Sequence, residues 1–407
     1  MACGGRGAMD WSSLPADLLL AVFAVLPSDA DRVRFRAVCA GWGAAAAAWR
    51  PRPWLVGSHT DRSGRGAGDV SCFWLSPRVG GGLAPFAAAV PAGLEYLSSS
   101  HGYLALADPA ASPKAILLVN PLTGRCVRLP PIGFFKRWLD VTTVVLSGDP
   151  DAAAEWAAVA VGFPTSCLAY YSSAAGAWTP LGFSAPGYAG VEHYRGRFYV
   201  AFGSQICVCE LDGDAPAAIP LENVDMDVEA NGSDDEKVPG PGRRVVETHL
   251  VECGGELLLV SVRDDVEYNS DDDMGRGLAV DIDIDDGAAS GGGGGGGGGD
   301  ARAVEVHRVQ WIGDGAVRLV RQVDLGRHAL FLGRNRAFAL SPAEFPACRA
   351  NCVYLVDRQG HPDGLVRVVD MKSQWARRNQ EIFPDDGRRG STTSAGWARR
   401  GWFFPNF

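Results

Sequence analysis

The ten cysteines and seven histidines are the residues of this chain best suited to hold a metal or to act as nucleophile and base. The cysteines stand at 3, 39, 72, 126, 167, 207, 209, 253, 348 and 352, with no CxxC pair among them. Cys207 and Cys209 lie two apart on a strand-like run and share a face, and Cys348 and Cys352 flank a loop, but no histidine at matching distance completes a zinc set. Several sit inside apolar runs, as buried reduced thiols do. The histidines fall singly, and no GxSxG elbow presents a serine. No GxxxxGK[ST] loop occurs, and the nine glycines 291–299 satisfy glycine patterns only trivially. DIDIDDG from Asp281 begins like a calcium loop, yet Asp286 replaces the required glycine and no glutamate stands at the twelfth position. The sequence therefore implies no catalytic residues, no cofactor and no metal; what remains is recognition.

A chain of 407 residues has room for a small module and one larger domain, and 47% hydrophobic content gives it a core. No apolar run approaches the roughly 18 residues of a spanning helix, and the N-terminus lacks the basic-then-apolar order of a secretory signal. The expectation is an intracellular protein of the cytoplasm and/or nucleus, with no membrane partner. The net charge of -9 is local. Residues 264–286 hold ten acidic residues against one arginine, which leaves 37 acidic and 37 basic elsewhere. A body without a basic field argues against a nucleic-acid partner.

Residues 14–54, LPADLLLAVFAVLPSDADRVRFRAVCAGWGAAAAAWRPRPW, read as three short helices. Pro15 suits a first turn and Asp17 meets the positive end of the helix dipole. Leu18 to Leu26 is continuously apolar; at about 100° per residue, Leu18, Leu19, Leu20, Val22, Phe23, Val25 and Leu26 cover an arc of roughly 220°, far wider than an ordinary seating stripe. Pro27 stops this helix. Ser28 and Asp31 resemble a capping box opening a second, with Val33, Phe35, Val38 and Cys39 apolar. A third is expected from Ala44 to Trp49, before Pro51 and Pro53. So small a unit cannot enclose all this surface. One face of the first helix should meet another protein.

The run LPADLL, the hydrophobic stretch ending at Leu26, and DRVRFRAVCAGW resemble the F-box motif. That resemblance implies docking onto a Skp-type adaptor, and through it a cullin scaffold, by Leu14, Pro15, Leu18, Leu19, Val22, Phe23, Leu26, Val33, Val38, Cys39 and Trp42. After Trp42 the chain departs from the motif, with Gly43 and five alanines where a basic or polar residue often stands.

Beyond Trp54 the periodicity alternates. Short apolar runs, among them VSCFWL (70–75), YLALA (103–107), VTTVVL (141–146), RFYVAF (197–202), ELLLVSV (256–262) and CVYLVD (352–357), are separated by turn residues with no long helix between. Glycines precede strands near 102, 196, 255 and, more loosely, 333; hairpin glycines at 124, 176, 213, 315 and 360 recur about every 40 to 50 residues, apart from the interval the acidic insert lengthens. This spacing suits a β-propeller of about five to seven blades, with a large β-sandwich as the rival. HGYLALAD, LLVNPLTGRCVRLPPI and the terminal GWFFPNF resemble plant F-box proteins carrying a Kelch-like β-propeller of the KIB type.

The expected organisation is thus mostly β: a disordered stretch at 1–9, an F-box helical module at 10–54 and a propeller at 55–407, with mobile insertions at 222–244 and 264–300. Trp402, Phe403 and Phe404 should close the propeller against residues 70–76. Phe134, Phe135, Trp138, Trp178, Tyr188 and Trp375 are the aromatic candidates for a target-binding rim. The function implied is substrate recognition in a Skp/cullin/F-box ubiquitin ligase, for a target protein the sequence does not identify. The rivals are a binding propeller whose helices only pack internally, and a propeller enzyme such as a glycosidase or lactonase, which needs carboxylates or histidines converging on the axis.

Overall fold

The computed structural model describes residues 11–26, 29–49, 52–59, 70–75, 83–86, 90–135, 140–163, 167–182, 190–211, 216–224, 245–264, 302–313, 315–343, 345, 348–357, 365–373, 380–382 and 397–405. Within them the chain forms three N-terminal helices and then strands only, apart from two short 3-10 turns.

The helices are α1 (Ala16–Val25), α2 (Asp29–Arg36) and α3 (Ala40–Ala45). Pro15 heads α1, its carbonyl accepting from Leu19 N at 3.1 Å. The proposed stop and cap at Pro27 and Ser28 lie outside the described residues. The third helix starts four residues earlier than expected. Extended backbone at Cys39 opens it, and the Trp42 indole donates to Trp11 O at 2.9 Å, which draws Trp42 into the helix. Gly43 fits this turn for a steric reason: a Cβ there would stand 3.1 Å from Arg36 O, so α3 meets the end of α2 where a side chain would crowd it.

The strands form six sheets among the described residues. Blade 1 runs outward from Trp397–Phe403 through Trp54–His59 and Val70–Leu75 to Leu83–Phe86. Blade 2 starts at Glu95–Ser100, blade 3 at Asp140–Leu146 and blade 4 at Gly190–Tyr194, each followed by three further strands in chain order. Blade 5 starts at Val245–Cys253, and blade 6 at Phe338–Leu340. Neighbouring inner strands touch from 397–403 to 95–100 and on through the sheets to 338–340, and blade 6 returns to 397–403 through Ala329–Leu332 and Cys352–Asp357, closing the circuit. This is a β-propeller, with six sheets among the described residues.

One apolar cluster fills each gap between blades, which is why the blade strands read as unbroken apolar runs. In Tyr103–Ala107, Leu104 and Leu106 face blade 1 while Tyr103, Ala105 and Ala107 face blade 3, so both faces are dry. The cysteines follow the same rule: Cys72, Cys207 and Cys209 are buried in these clusters. The inner hairpins turn on Gly102, Gly196 and Gly255, with φ of 76°, 81° and 84°, values that favour glycine.

Three expectations need correction. The closing strand pairs with Trp54–His59, not with 70–76: Trp54 faces Phe403, Leu55 faces Trp402 and Val56 faces Gly401, while 70–75 lies one strand further out. Glu222–Asn223, expected to begin an insertion, is a strand running parallel to Ala316–Val317. Asp264, expected to begin the second insertion, is still in the ladder, opposite Arg302. Short edge pairings of this kind satisfy backbone groups whatever the side chains. The rest of both insertions lies outside the described residues.

Candidate functional site

In the helical module, Leu19, Phe23, Phe35 and Ala46 form a small core with Leu14, Leu26, Trp42, Ala45 and Trp49 partly buried around it. Phe23 lies edge-on to Phe35 at 5.2 Å and to Trp49 at 5.8 Å between centroids, and Phe35 meets Trp42 at 4.5 Å. This core uses one side of α1. On the other, Leu18, Val22 and Val25 stay 50%, 41% and 78% exposed. They are spaced i, i+4 and i+7, so they make one stripe along the helix. Leu20 and Val38 are also exposed.

The sequence-predicted set therefore divides. Leu18, Val22, Val38 and Pro15 are exposed; Leu19 and Phe23 are buried; Leu14, Leu26, Cys39 and Trp42 are half-buried. Val33 turns away from both groups and packs against the cluster shared by blades 1 and 2, so α2 seats the module on the propeller.

The propeller axis is occupied by protein. Residues 333–337 cross it, between the inner strand of blade 6 and its neighbour. Arg334 N donates to Arg400 O at 3.1 Å and Arg336 N to Ser99 O at 2.7 Å. Asn335 Oδ1 accepts from Trp402 N at 3.0 Å, and Tyr96 Oη donates to Arg334 O at 2.6 Å. The fit is close: a Cβ on Gly401 would lie 2.7 Å from Arg334 O, and one on Gly190 2.6 Å from Thr248 O. A cavity of about 30 Å³ remains beside the crossing segment, lined in part by Thr143, Gly190, His249 and Asn335. That volume accepts one or two waters, not a sugar or lactone ring.

Carboxylates and histidines do converge on this axis. Glu192 is fully buried, and its Oε1 accepts from Arg336 Nε at 2.7 Å and Nη2 at 2.6 Å. Its Oε2 is buried without a protein partner, as is His101 Nε2. Burial raises the Glu192 carboxyl to about 7, against the pull of Arg336. Burial, with the Arg336 charge, lowers His101 to about 3 and lowers His193. Both histidines are thus neutral at pH 7. The arrangement buries its acid against an arginine instead of presenting it to a cleft. Sequence reading missed these residues; the only hint was Glu192 and His193 inside the otherwise apolar GVEHY run.

Of the aromatic rim candidates, Phe134 is exposed, whereas Phe135 and Trp178 pack into the cluster between blades 2 and 3 and Trp178 Nε1 donates to Pro130 O at 2.8 Å. Trp138, Tyr188 and Trp375 lie outside the described residues. Among the described residues no three His, Cys, Asp or Glu side chains are placed to hold a metal, and no helix is long and apolar enough to cross a membrane.

No curated protein sequence matches the chain. Among solved structures, the chain is similar to YCF48 bound to D1 peptide, at 12% identity over 82% of this chain and 81% of that one, with a TM-score of 0.29. It is also similar to a Lactobacillus plantarum protein, at 13% identity over 82% and 97%, with a TM-score of 0.35. A third is the Bombyx mori GH32 beta-fructofuranosidase BmSUC1, at 11% identity over 67% and 62%, with a TM-score of 0.30. Scores this low carry no functional weight. The family comparison is of a different kind, for residues 83–382, which hold blades 2 to 6 and the outermost strand of blade 1, match the KIB1-4 beta-propeller. The chain belongs to the KIB1-4 beta-propeller family.

Proposed function

We propose that this protein is the substrate-recognition subunit of a Skp/cullin/F-box ubiquitin ligase: the helical module docks a Skp-type adaptor, and through it a cullin scaffold, while the propeller holds a target protein. The observation that carries this reading is the exposed stripe Leu18, Val22 and Val25 on a helix whose other side is already seated. An apolar stripe left in water on a soluble module is a surface awaiting a partner. In this reading the chain supplies no acid, base or nucleophile. It raises the effective concentration of target lysines near the ubiquitin-loaded enzyme, working in the cytoplasm or nucleus. Membership in a propeller family, together with the filled axis, favours a binding propeller over a propeller enzyme.

The test is a pulldown of the full chain with a purified Skp-type adaptor, comparing wild type with Leu18→Asp/Val22→Asp. Both positions are exposed, so the double variant keeps the wild-type circular dichroism and unfolding curve but loses adaptor capture. Wild type that fails to bind, or a double variant that binds equally well, overturns the ligase reading in favour of a binding propeller outside any ligase.

A further inference from the structure

Residues 333–337 do more than fill the axis. Their backbone and side chains bond to blade 1 through Arg400 and Trp402, to blade 2 through Ser99 and Tyr96, and to blade 4 through Glu192. Glu252 of blade 5 lies 3.9 Å from Arg336. One segment of blade 6 thus touches four other blades, including the strand that closes the ring. We infer that residues 333–337 are an axial latch holding the propeller closed, and that a proton taken up by Glu192 tightens it.

Among the described residues, few charged groups face this carboxyl. Arg336 meets it from the crossing segment and Glu252 adds negative charge from Val245–Cys253, while His193 next to it and His101 from the turn after Glu95–Ser100 are both neutral at pH 7. With one oxygen on Arg336, the other buried without a side-chain partner, and only the His193 backbone besides to support the charge, the ionised form is under-solvated. Protonation removes that penalty. Between pH 4.5, the ordinary carboxyl value, and about 7, the folded chain holds a proton that the unfolded chain has released. Stability therefore falls as pH rises through this window and is level above it.

The experiment is urea unfolding of the full chain from pH 4.5 to 8.5, for wild type and Glu192→Gln, which mimics the neutral acid. Relative to the variant, wild type should lose about two orders of magnitude in its folding equilibrium constant across the window. Superimposable profiles, or a difference of opposite sign, overturn the inference. Hydrogen exchange of wild type alone provides a second arm should the variant fold poorly. Above neutral pH, peptides covering 330–340 and 397–403 should exchange faster than intrinsic chemistry predicts, while 157–163 in blade 3 should not. Uniform loss of protection, or none, refutes a latch.

Discussion

Replacing Trp402 tests how the ring is closed. Its side chain is fully buried, edge-on to Phe331 at 5.2 Å and to Tyr354 at 6.2 Å between centroids, with Nε1 donating to Tyr354 O at 3.1 Å. Its backbone N–H is held by Asn335. Trp402→Ala removes the ring from the gap between blades 6 and 1, costing about 3–5 kcal/mol in transfer and cavity terms. It also leaves the Tyr354 carbonyl without its donor, adding roughly 1 kcal/mol. The total of about 4–6 kcal/mol is a large share of the roughly 5–15 kcal/mol that stabilises a typical domain. Trp402→Phe keeps an aromatic in the gap and loses the indole donor and part of the ring, so it should cost about 1–2 kcal/mol. Urea midpoints followed by near-ultraviolet circular dichroism separate the two. If Trp402→Ala unfolds within about 1 kcal/mol of wild type, strand 397–403 is not what closes the propeller.

Gly190→Ala drives a methyl against the Thr248 carbonyl at 2.6 Å and His249 Cα at 2.8 Å, so blades 4 and 5 must separate; a loss of about 1–3 kcal/mol is expected in urea unfolding. Gly133→Ala, with open space around it, should change stability by less than about 0.5 kcal/mol and serves as the control. The thiols should divide by burial. Burial pushes Cys72 and Cys209 up to about 12, so at pH 8 roughly one thiol in ten thousand is ionised, whereas Cys126 is exposed. Thiol labelling of the native chain, read by peptide mapping, should modify Cys126 readily and reach Cys72 and Cys209 only after unfolding.

How much of this was legible depended on what each strand faces. CVYLVD at 352–357 is buried throughout and YLALA at 103–107 likewise, so their apolar runs announced strands. VTTVVL at 141–146 was legible as the inner strand of blade 3, but the inner strands Glu95–Ser100, Gly190–Tyr194 and Val245–Cys253 were hidden because polar residues interrupt their apolar pattern. The Ser98 hydroxyl donates to Val144 O and accepts from Val144 N, and the Ser100 hydroxyl accepts from Leu146 N, so the serine triplet 98–100 belongs to a strand stitched to its neighbour by hydroxyls. Gly102, Gly196 and Gly255 did mark the inner hairpins, but Gly333 lies in the crossing segment without a positive φ. With those inner strands unread the repeat could not be phased, and blade 1 joins residues 347 positions apart, Leu55 pairing with Trp402. In the helical module, periodicity gave the wide apolar arc of α1. It did not say that Leu19 and Phe23 face inward while Leu18 and Val22 face water, nor that Val33 seats on the propeller, since those choices are made by contacts distant in sequence.

The pairing of Trp54 with Phe403 also sets an order of events during synthesis. The two residues are 403 - 54 = 349 positions apart, so at typical elongation rates the closing strand leaves the ribosome roughly 20 to 70 seconds after its partner. Throughout that interval the helical module is already outside the exit tunnel, while blade 1 exposes the unpaired edge of 54–59. A nascent chain with a finished docking helix and an open ring is the stage most exposed to edge-to-edge association, and slow, non-local closure prolongs it.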